Sequence, residues 1–267
     1  MKWGRISLVI FGALIVTALG IDAADTLNGS KGTLLSQVIS QKEGKCPEGM
    51  SVVENVASIT CVDAYEVSTD ASCPTGNPEQ MLGTLKNVES KECFPESKDD
   101  ALPWRFITRD QAMQMCGRVG KRLPTSDEWY SLSLGMADVE TGCNVSSKSI
   151  AHTGSLDSCI SPHGAHDLVG NVWEWVSDDV VDGMYKSSRL PDSGYITQVD
   201  SNGMAVVSSD EPEELFGKDY FWSRSEGTFG IIRGGYYDSG TDAGVYTAHV
   251  DTLPTTASAG IGFRCVK

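Results

Sequence analysis

Eight cysteines constrain this chain more than any other feature of its sequence. No two of them form a C-x-x-C pair, the spacing typical of zinc knuckles and thioredoxin-like redox sites. An even number of cysteines in a chain that leaves the cytosol usually forms disulfides, although eight cysteines allow on the order of a hundred pairings. Local spacing favours short loops closed by Cys46 with Cys61, Cys73 with Cys93, and Cys143 with Cys159.

The first 24 residues indicate export. Lys2 and Arg5 precede an uncharged run over residues 6–21, and two alanines follow it. The pattern is that of a secretory signal peptide or an uncleaved signal anchor, although the run is short for a spanning helix, which needs about 20 residues. Residues 25–45 are polar and predict a linker or stalk. We therefore expect residues 46–267 at the surface of a prokaryotic cell or outside it, with membrane contact only through an uncleaved N-terminal segment.

Composition excludes one large class of partner. The chain has 21 basic and 36 acidic residues, a net charge of -15. Nucleic-acid binding requires a basic patch to neutralise phosphates, so we do not expect a nucleic-acid partner. A hydrophobic fraction of 40% in 267 residues is sufficient for the core of one large domain or two modest ones.

Two helices are marked by capping boxes, in which a Thr side chain and a Glu or Gln three residues later bond to each other's backbone N–H. Thr108 with Gln111 predicts the start of one helix, and Thr125 with Glu128 predicts the start of the next. Both boxes precede sequences with good helix formers, so we expect two short helices in the first half of the domain.

The rest of the chain predicts little regular structure. Runs of β-branched residues over 50–53 and 58–68 predict strands. Residues 70–100 are rich in Pro, Glu and Ser and predict irregular structure. Residues 179–230 are acidic, with frequent Gly and Ser, and predict surface loops with short strands.

Few residues carry an obvious chemical signal. His163 and His166 stand three apart in a loop with Pro and Gly, which is weak evidence for a metal site. Trp173, Glu174 and Trp175 predict a buried aromatic clamp around one carboxylate, for which a structural cation or a capping bond is a reasonable partner. No phosphate-binding loop and no nucleophile elbow occurs.

Five stretches occur in a characteristic order over residues 46–267: CPEGMSVV, ITRDQAMQMCGRVGKRLPTSDEWYSLSLG, HDLVGNVWEWVSD, IIRGGYY and GIGFRC. Together they resemble the formylglycine-generating enzyme, or sulfatase-modifying factor, family. The resemblance implies an α+β fold of the C-type lectin-like kind, low in regular secondary structure and stabilised by disulfides. It also implies that Cys116 pairs with Cys265.

The resemblance has two further implications for metals. It implies a structural calcium ion bound by the side chains of Asp167 and Glu174 and the carbonyl groups of Gly170 and Val172, an oxygen set that suits calcium. Catalytic members of the family hold Cu(I) with two cysteines shortly after the R-G-G motif. Those positions are Ser239 and Gly244 here, and neither side chain can replace a thiolate. We therefore expect no copper and no oxidase activity.

The segment between the R-G-G and G-F-R-C motifs has a restricted composition. Residues 236–260 include no Lys, Glu, Gln, Met or Trp. This resembles the variable proteins of diversity-generating retroelements, in which adenine mutagenesis of Asn codons cannot produce those five residues. The resemblance implies a diversified face for a protein or surface ligand, with contacts expected at Tyr236, Tyr237, Asp238, Ser239, Asp242, Tyr246, His249, Asp251, Thr252, Thr256, Ser258, Ala259 and Gly260.

The residue types in this segment agree with a binding role. Tyr, Ser, Gly, Asp and Thr dominate antibody combining loops, where Tyr provides rigid amphipathic contact area. Three Asp against one His make the segment acidic, which favours a basic or hydrogen-bond-donating partner. Two alternatives remain: a non-variable structural or binding module, whose side chains would share no common face, and an enzyme of the formylglycine-generating type.

Overall fold

The computed structural model describes residues 46–56, 58–136 and 142–267. The predicted N-terminal segment 1–24 and linker 25–45 lie outside these residues. Within the described ranges, every helix is too short or too polar to cross a membrane.

Two of the helices begin where the capping boxes predict them. The described helices are α1 (Met81–Glu89), α2 (Arg109–Arg118) and α3 (Ser126–Ser133). At the start of α2, the Thr108 hydroxyl accepts the N–H of Gln111, and the Gln111 side chain accepts the N–H of Thr108. Thr125 and Glu128 make the same reciprocal pair at the start of α3.

Helix α1 contradicts the prediction that residues 70–100 are irregular. No side-chain hydrogen bond caps its N-terminus, so the sequence carries no start signal there. Its C-terminal end is instead held by a residue distant in sequence, because Arg118 donates to the carbonyls of Val88 and Ser90, each at 2.7 Å. Tertiary contacts, rather than a local signal, stabilise this helix.

The strands are short and form three sheets. They are β1 (Met50–Val52), β2 (Cys61–Asp63), β3 (Val67–Thr69), β4 (Pro95–Ser97), β5 (Trp173–Val181), β6 (Met184–Tyr185), β7 (Ser188–Arg189), β8 (Gly194–Val199), β9 (Ala205–Ser209), β10 (Tyr220–Trp222), β11 (Thr228–Arg233), β12 (Ala248–Thr252) and β13 (Ile261–Gly262). β1 pairs with β2, and β3 pairs with β4. The main sheet has the order β7-β6-β5-β11-β12-β10-β8-β9, with β13 parallel to β5.

The strand predictions are confirmed for the start of the domain and are wrong in part for residues 179–230. β1, β2 and β3 lie within the predicted runs. In residues 179–230, however, β8 and β10 are inner strands of the main sheet, and their Ile196 and Phe221 are fully buried. Acidic composition hides these strands, because towards this edge of the sheet only one face is fully buried and only every second residue needs to be apolar.

Each face of the main sheet lies against a hydrophobic core. Successive residues of a strand point to opposite sides, so one strand contributes apolar side chains to both cores. On one face, Phe221 and Val250 pack with Trp129 of α3; we call this the α3 face. On the other, Trp175 and Ile232 pack with residues of α2, and we call this the α2 face.

Four disulfides cross-link the domain, in the pairs that spacing and resemblance predict: Cys46–Cys61, Cys73–Cys93, Cys116–Cys265 and Cys143–Cys159. The three short loops each restrict the unfolded chain, an effect of about 2–4 kcal/mol per bridge. Cys116–Cys265 joins α2 to the end of the chain over a separation of 149 residues. The C-terminal segment is therefore anchored at its far end.

Candidate ligand-binding face

The R-G-G motif fixes the near end of the C-terminal segment. Gly234 and Gly235 have φ values of 92° and 87°, which disfavour any residue with a Cβ. A Cβ at Gly234 would also lie 2.2 Å from the carbonyl oxygen of Leu168. Glycine at these positions lets the chain turn sharply out of β11 while in contact with its neighbours.

Two buried side chains, Arg233 and Asp219, bond to the backbone in the middle of the segment. Arg233 is fully buried, and its guanidinium donates to the carbonyls of Tyr246 and Thr247 at 3.0 and 3.4 Å. The Asp219 carboxylate accepts the N–H of Tyr246 at 2.7 Å and also that of Thr247. Burial raises the pKa of Asp219 to about 7. Buried framework side chains outside residues 236–260 therefore help to fix the backbone here.

The G-F-R-C motif fixes the far end through a buried ion pair. Arg264 and Glu174 are both completely buried, with the Arg264 Nε 2.7 Å from Glu174 Oε1. Trp129 of α3 donates to Glu174 Oε2 at 2.7 Å. Arg264 also donates to the carbonyls of Asp63 and His166, at 2.9 and 2.6 Å. One guanidinium thus connects the last motif to the NVWEW strand and to the start of the domain.

The predicted aromatic clamp is wrong in its geometry. Trp173 and Trp175 lie on the α2 face of β5, and the intervening Glu174 points to the opposite side. The cation expected beside Glu174 is the Arg264 guanidinium, and the aromatic partner is Trp129.

Glu174 does not fit the calcium set that the resemblance implies. Both of its carboxylate oxygens accept hydrogen bonds from Arg264, and a divalent cation there would have to displace this guanidinium against its charge. Asp167 is buried and accepts the N–H of Gly154 at 2.7 Å. Gly170 and Val172 would provide only carbonyl groups. The contacts of Glu174 therefore disfavour calcium as a partner of this carboxylate.

The histidine pair predicted as a weak metal candidate has other contacts. The ring of His166 stacks on that of Tyr65, with ring centroids 4.9 Å apart, and His163 does not join it in a ligand group. Among the described residues, the group of potential ligands that lies close together is Asp70, Cys73 and Cys93, where both sulfur atoms belong to one disulfide.

Strand β12 divides its side chains between the two faces of the sheet. Ala248 and Val250 are fully buried on the α3 face. His249 and Asp251 point to the α2 face, where 27% and 18% of their side chains are exposed. This alternation places two predicted contact residues side by side and keeps their neighbours in the core.

His249 belongs to an aromatic cluster. Its ring lies parallel to that of Trp222 at 4.0 Å and edge-on to that of Trp173 at 5.0 Å. Its Nδ1 is 3.1 Å from Asp251 Oδ1, and Arg224 Nε is 3.4 Å from Asp251 Oδ2. Burial alone would raise the pKa of Asp251, but the hydrogen bond and charge of His249 and the charge of Arg224 lower it.

Tyr236, at the start of the segment, packs against the same α2-face core as Trp222. The rings of Tyr236 and Tyr237 lie 4.9 Å apart, and both are half-buried, while Asp238 is exposed. Gly260 is buried against Tyr236, because a Cβ there would lie 2.8 Å from the ring. The carbonyl of Gly260 accepts the N–H of Trp173 at 2.8 Å, which connects the tyrosines to the His249 cluster.

The four remaining residues near the end of the segment lie beside the start of α2. Arg109 donates its N–H to the carbonyl of Pro254 at 3.1 Å, and Phe106 donates to that of Ser258 at 2.9 Å. The predicted contact residues of this stretch are all half-buried: Thr252, Thr256, Ser258 and Ala259. Thr252 ends β12, and the other three residues lie in the loop that follows it.

Three predicted contact residues lie apart from the rest. The Tyr246 ring packs against those of Tyr130 and Phe216, at 5.8 and 5.3 Å, on the side of the α3 core. Asp242 is half-buried in a short 3₁₀ helix, and its carbonyl accepts the hydroxyl of Thr247. Ser239 uses its hydroxyl to accept the N–H of Tyr236 at 3.0 Å. The structure therefore brings together His249 with Asp251 and Tyr236 with Tyr237, whereas Tyr246 lies on the other side of the sheet.

Comparison with known proteins identifies the domain. Residues 133–267, half of the chain, match the sulfatase-modifying factor enzyme 1-like domain family. The chain belongs to this family. Its fold is the α+β, disulfide-stabilised, C-type lectin-like fold of sulfatase-modifying factor domains.

Three more distant similarities are found. A serine/threonine-protein kinase of Chlamydia pneumoniae, pkn1, is 27% identical over 157 residues, which are 56% of this chain and 21% of that protein. The solved structure of the Major Tropism Determinant P3c Variant has a TM-score of 0.45 and 19% identity, covering 83% of this chain and 52% of that one. The Treponema denticola variable protein 1 has a TM-score of 0.44 and 13% identity, covering 83% and 91%. The chain thus spans about a fifth of the curated kinase and about half of the first structure.

In this sulfatase-modifying factor domain, Ser239 and Gly244, the positions at which the sequence resemblance implies copper ligands in catalytic members, have other contacts. Ser239 bonds through its hydroxyl to the backbone of Tyr236. A Cβ at Gly244 would lie 1.9 Å from Asp219 Oδ1, so the carboxylate fills the space that a cysteine side chain would need. All eight cysteines of the chain form disulfides.

The sequence analysis missed three aromatic residues of this face. Tyr195, Tyr220 and Trp222 lie outside residues 236–260, yet Trp222 stacks on His249, Tyr220 contacts Trp222, and Tyr195 contacts Tyr220. The signal was the Tyr-Phe-Trp run at 220–222, in which two amphipathic aromatics flank one apolar residue. That is the alternation of a strand with one buried face, and the acidic surroundings concealed it.

Proposed function

We propose that this domain is a non-catalytic ligand-binding module whose C-terminal segment, residues 236–260, supplies a diversified contact face. The observation that carries the proposal is the alternation in β12. His249 and Asp251 are partly exposed on one face, while Ala248 and Val250 are buried on the other. A strand of this kind presents changeable side chains on a fixed backbone.

The framework around the segment supports tolerance to change. Buried groups outside the variable positions hold its backbone: Arg233 and Asp219 in the middle, and Arg264 with the Cys116–Cys265 bridge at the end. The contacts of Arg233 and Asp219 are made to backbone atoms of the segment, and those of Arg264 and the disulfide lie outside residues 236–260, so substitution of exposed side chains leaves them in place. Binding residues on loops and edges held by a rigid scaffold are a common arrangement.

The chemistry of the site supports binding over catalysis. The family includes oxidases that need two free thiolates, and this chain has Ser239 and Gly244 at those positions. Asp219 fills the space next to Gly244. The partly exposed groups of the face are Tyr, Thr, Ser, Asp and His, which suit contact with a partner.

Export completes the proposal. The N-terminal pattern of a signal peptide or anchor, with four disulfides, suits a domain that works outside the cytosol. The proposed setting is a prokaryotic cell surface, where the face meets a protein or another surface ligand.

The DNA beside the gene tests the diversification directly. We expect a near-copy of the codons for residues 236–260, rich in AAC, next to a reverse transcriptase gene. The differences between the two copies should fall on adenines and encode the half-exposed positions. A locus without a copy or a reverse transcriptase would contradict diversification and favour the fixed binding module.

A copper titration tests the absence of oxidase chemistry. The purified full chain is titrated with Cu(I) in competition with a colorimetric chelator, and an unrelated disulfide protein serves as the control. We expect no tight binding in stoichiometric amount. Tight binding of one Cu(I) per chain would contradict the proposal and revive the oxidase alternative.

A further inference from the structure

Five rings form a continuous strip on the α2 face, and only one of them belongs to residues 236–260. His249 stacks on Trp222 at 4.0 Å, and Trp222 contacts Tyr220 at 4.6 Å. Tyr220 contacts Tyr195 edge-on at 5.0 Å, and Trp173 contacts both Trp222 and His249. The strip runs from the middle of the sheet towards its β9 edge.

The register of the strands explains why these rings share a face. Trp222 lies directly opposite His249 in the parallel pairing of β10 with β12, and Tyr220 lies opposite Tyr195 in the antiparallel pairing with β8. Directly paired residues point to the same side of a sheet. Phe221, between the two, is fully buried on the α3 face.

Burial decreases along this row of the sheet. Ile232 pairs with Trp175 and with His249, and both apolar residues are buried in the core against α2. His249 retains 27% of its side-chain exposure, and Trp222 beyond it is half-buried. Tyr195, further along, is also half-buried. On this face, the buried core is therefore followed by partly exposed aromatic side chains that lie mostly outside residues 236–260.

The aromatic rings of the strip and the carboxylates near it indicate which kind of partner this surface would bind. Tyr and Trp rings are enriched at protein interfaces, and their faces attract cations, with Trp the strongest and Arg the commonest partner. Exposed acidic residues lie at the Tyr195 end of the strip, Asp192 and Asp210. At the other end, Arg224 and Asp251 neutralise each other. A stacking platform for single-stranded nucleic acid would need a basic groove, and the chain has a net charge of -15.

We propose that Tyr195, Tyr220 and Trp222 form a constant half of the binding face, and that this half receives arginine or lysine side chains of a protein partner. The inference rests on the proposed function and extends it, because the variable half then sets specificity while the constant half provides affinity common to all variants.

An NMR titration tests the inference. The probe is a twelve-residue peptide, four repeats of Gly-Ser-Arg, with matched peptides in which Lys or Gln replaces Arg. The ¹⁵N-labelled full chain is titrated, and the indole N–H signal of Trp222 is assigned by its loss in Trp222→Leu. We expect the Arg peptide to shift this signal and to bind about 5- to 30-fold more tightly than the Gln peptide.

Variants of the two halves separate the inference from the proposed function. Trp222→Leu and Tyr195→Leu should each weaken binding of the Arg peptide, by about 2-fold or more. If Trp222→Leu does not fold, Tyr195→Leu alone tests the contribution of these aromatic residues. The control is Phe94→Leu, an exposed aromatic residue of another part of the domain, which should bind as the wild type does.

Each other result counts against one of the two proposals. Equal binding of the Arg and Gln peptides, no binding of either, or unchanged binding in both aromatic variants overturns the inference. If Tyr237→Ala and His249→Ala reduce binding while the framework variants do not, the inference fails and the proposed function stands. A locus without a near-copy of residues 236–260 or a reverse transcriptase makes the proposed diversification fail while the peptide result stands, because a generic Arg peptide does not test the variable half.

Discussion

The two sides of strand β12 differ clearly in burial. Ala248 and Val250 are fully buried against the α3 core, whereas His249 and Asp251, one residue away, keep 27% and 18% of their side chains exposed. The backbone that leads into both sets is held from outside by Arg233 and Asp219. Under the proposed function, a diversified surface would need no flexible loop, because a strand with one buried side can present changeable side chains.

The largest expected effect comes from placing a charge on the wrong side of β12. Val250→Asp would bury an unpaired carboxylate, and we expect a loss of about 4 kcal/mol or more in the free energy of unfolding. His249→Asp, the matched change one residue earlier, should cost about 1 kcal/mol or less. Urea unfolding with disulfides intact measures both. Similar losses for the two variants would mean that the two faces of the strand are equally buried.

Breaking the buried ion pair should have the next largest effect. Arg264→Met leaves Glu174 as an uncompensated buried charge, and we expect a loss of about 3–5 kcal/mol. The control is Arg224→Met, which removes the partly exposed pair with Asp251 and should cost about 1 kcal/mol or less.

The double variant Arg264→Met with Glu174→Leu sharpens this test. It removes both charges, so it should recover much of the lost stability. A single Arg264→Met variant as stable as the wild type would show that the last motif is not anchored by this pair.

Asp219 gives the framework a dependence on pH. Its pKa is about 7 in the folded domain and 3.8 when unperturbed, so between these values the folded chain binds more protons than the unfolded one. Stability therefore falls as pH rises from about 4 to 7. Asp219→Asn cannot titrate, and its deficit relative to the wild type should shrink by up to about 4 kcal/mol between pH 4 and pH 8. A deficit independent of pH, measured by urea unfolding, would contradict this account of Asp219.

Calcium should have the smallest effect. Because Arg264 occupies both carboxylate oxygens of Glu174, we expect the same melting temperature, within about 1 °C, in excess calcium and in excess chelator. Scanning calorimetry of the full chain measures this. A large rise with calcium would show that the ion displaces Arg264 and that the ligand set implied by the family holds.

Sequence signals predicted the parts of the structure that depend on local chemistry. The capping boxes at Thr108 and Thr125 located α2 and α3, because each box is complete within four residues. Short cysteine spacings located three disulfides, and the family resemblance supplied Cys116–Cys265.

Features set by long-range pairing were not predictable in the same way. The end of α1 depends on Arg118, 28 residues after Ser90. The role of Trp222 depends on its parallel pairing with His249, and the position of Tyr246 depends on Phe216. The restricted composition of residues 236–260 marked the segment, but it could not separate Tyr236 on the α2 face from Tyr246 beside the α3 core.

Paired libraries test the central claim most directly. One library randomises four positions of the face, Tyr237, Asp238, His249 and Asp251; the other randomises four framework positions, Arg233, Ala248, Val250 and Phe263. Sequencing before and after protease challenge of the displayed full chain gives the folded fraction of each. The account predicts that most members of the first library survive and nearly all members of the second are lost. Equal survival of the two libraries would contradict it.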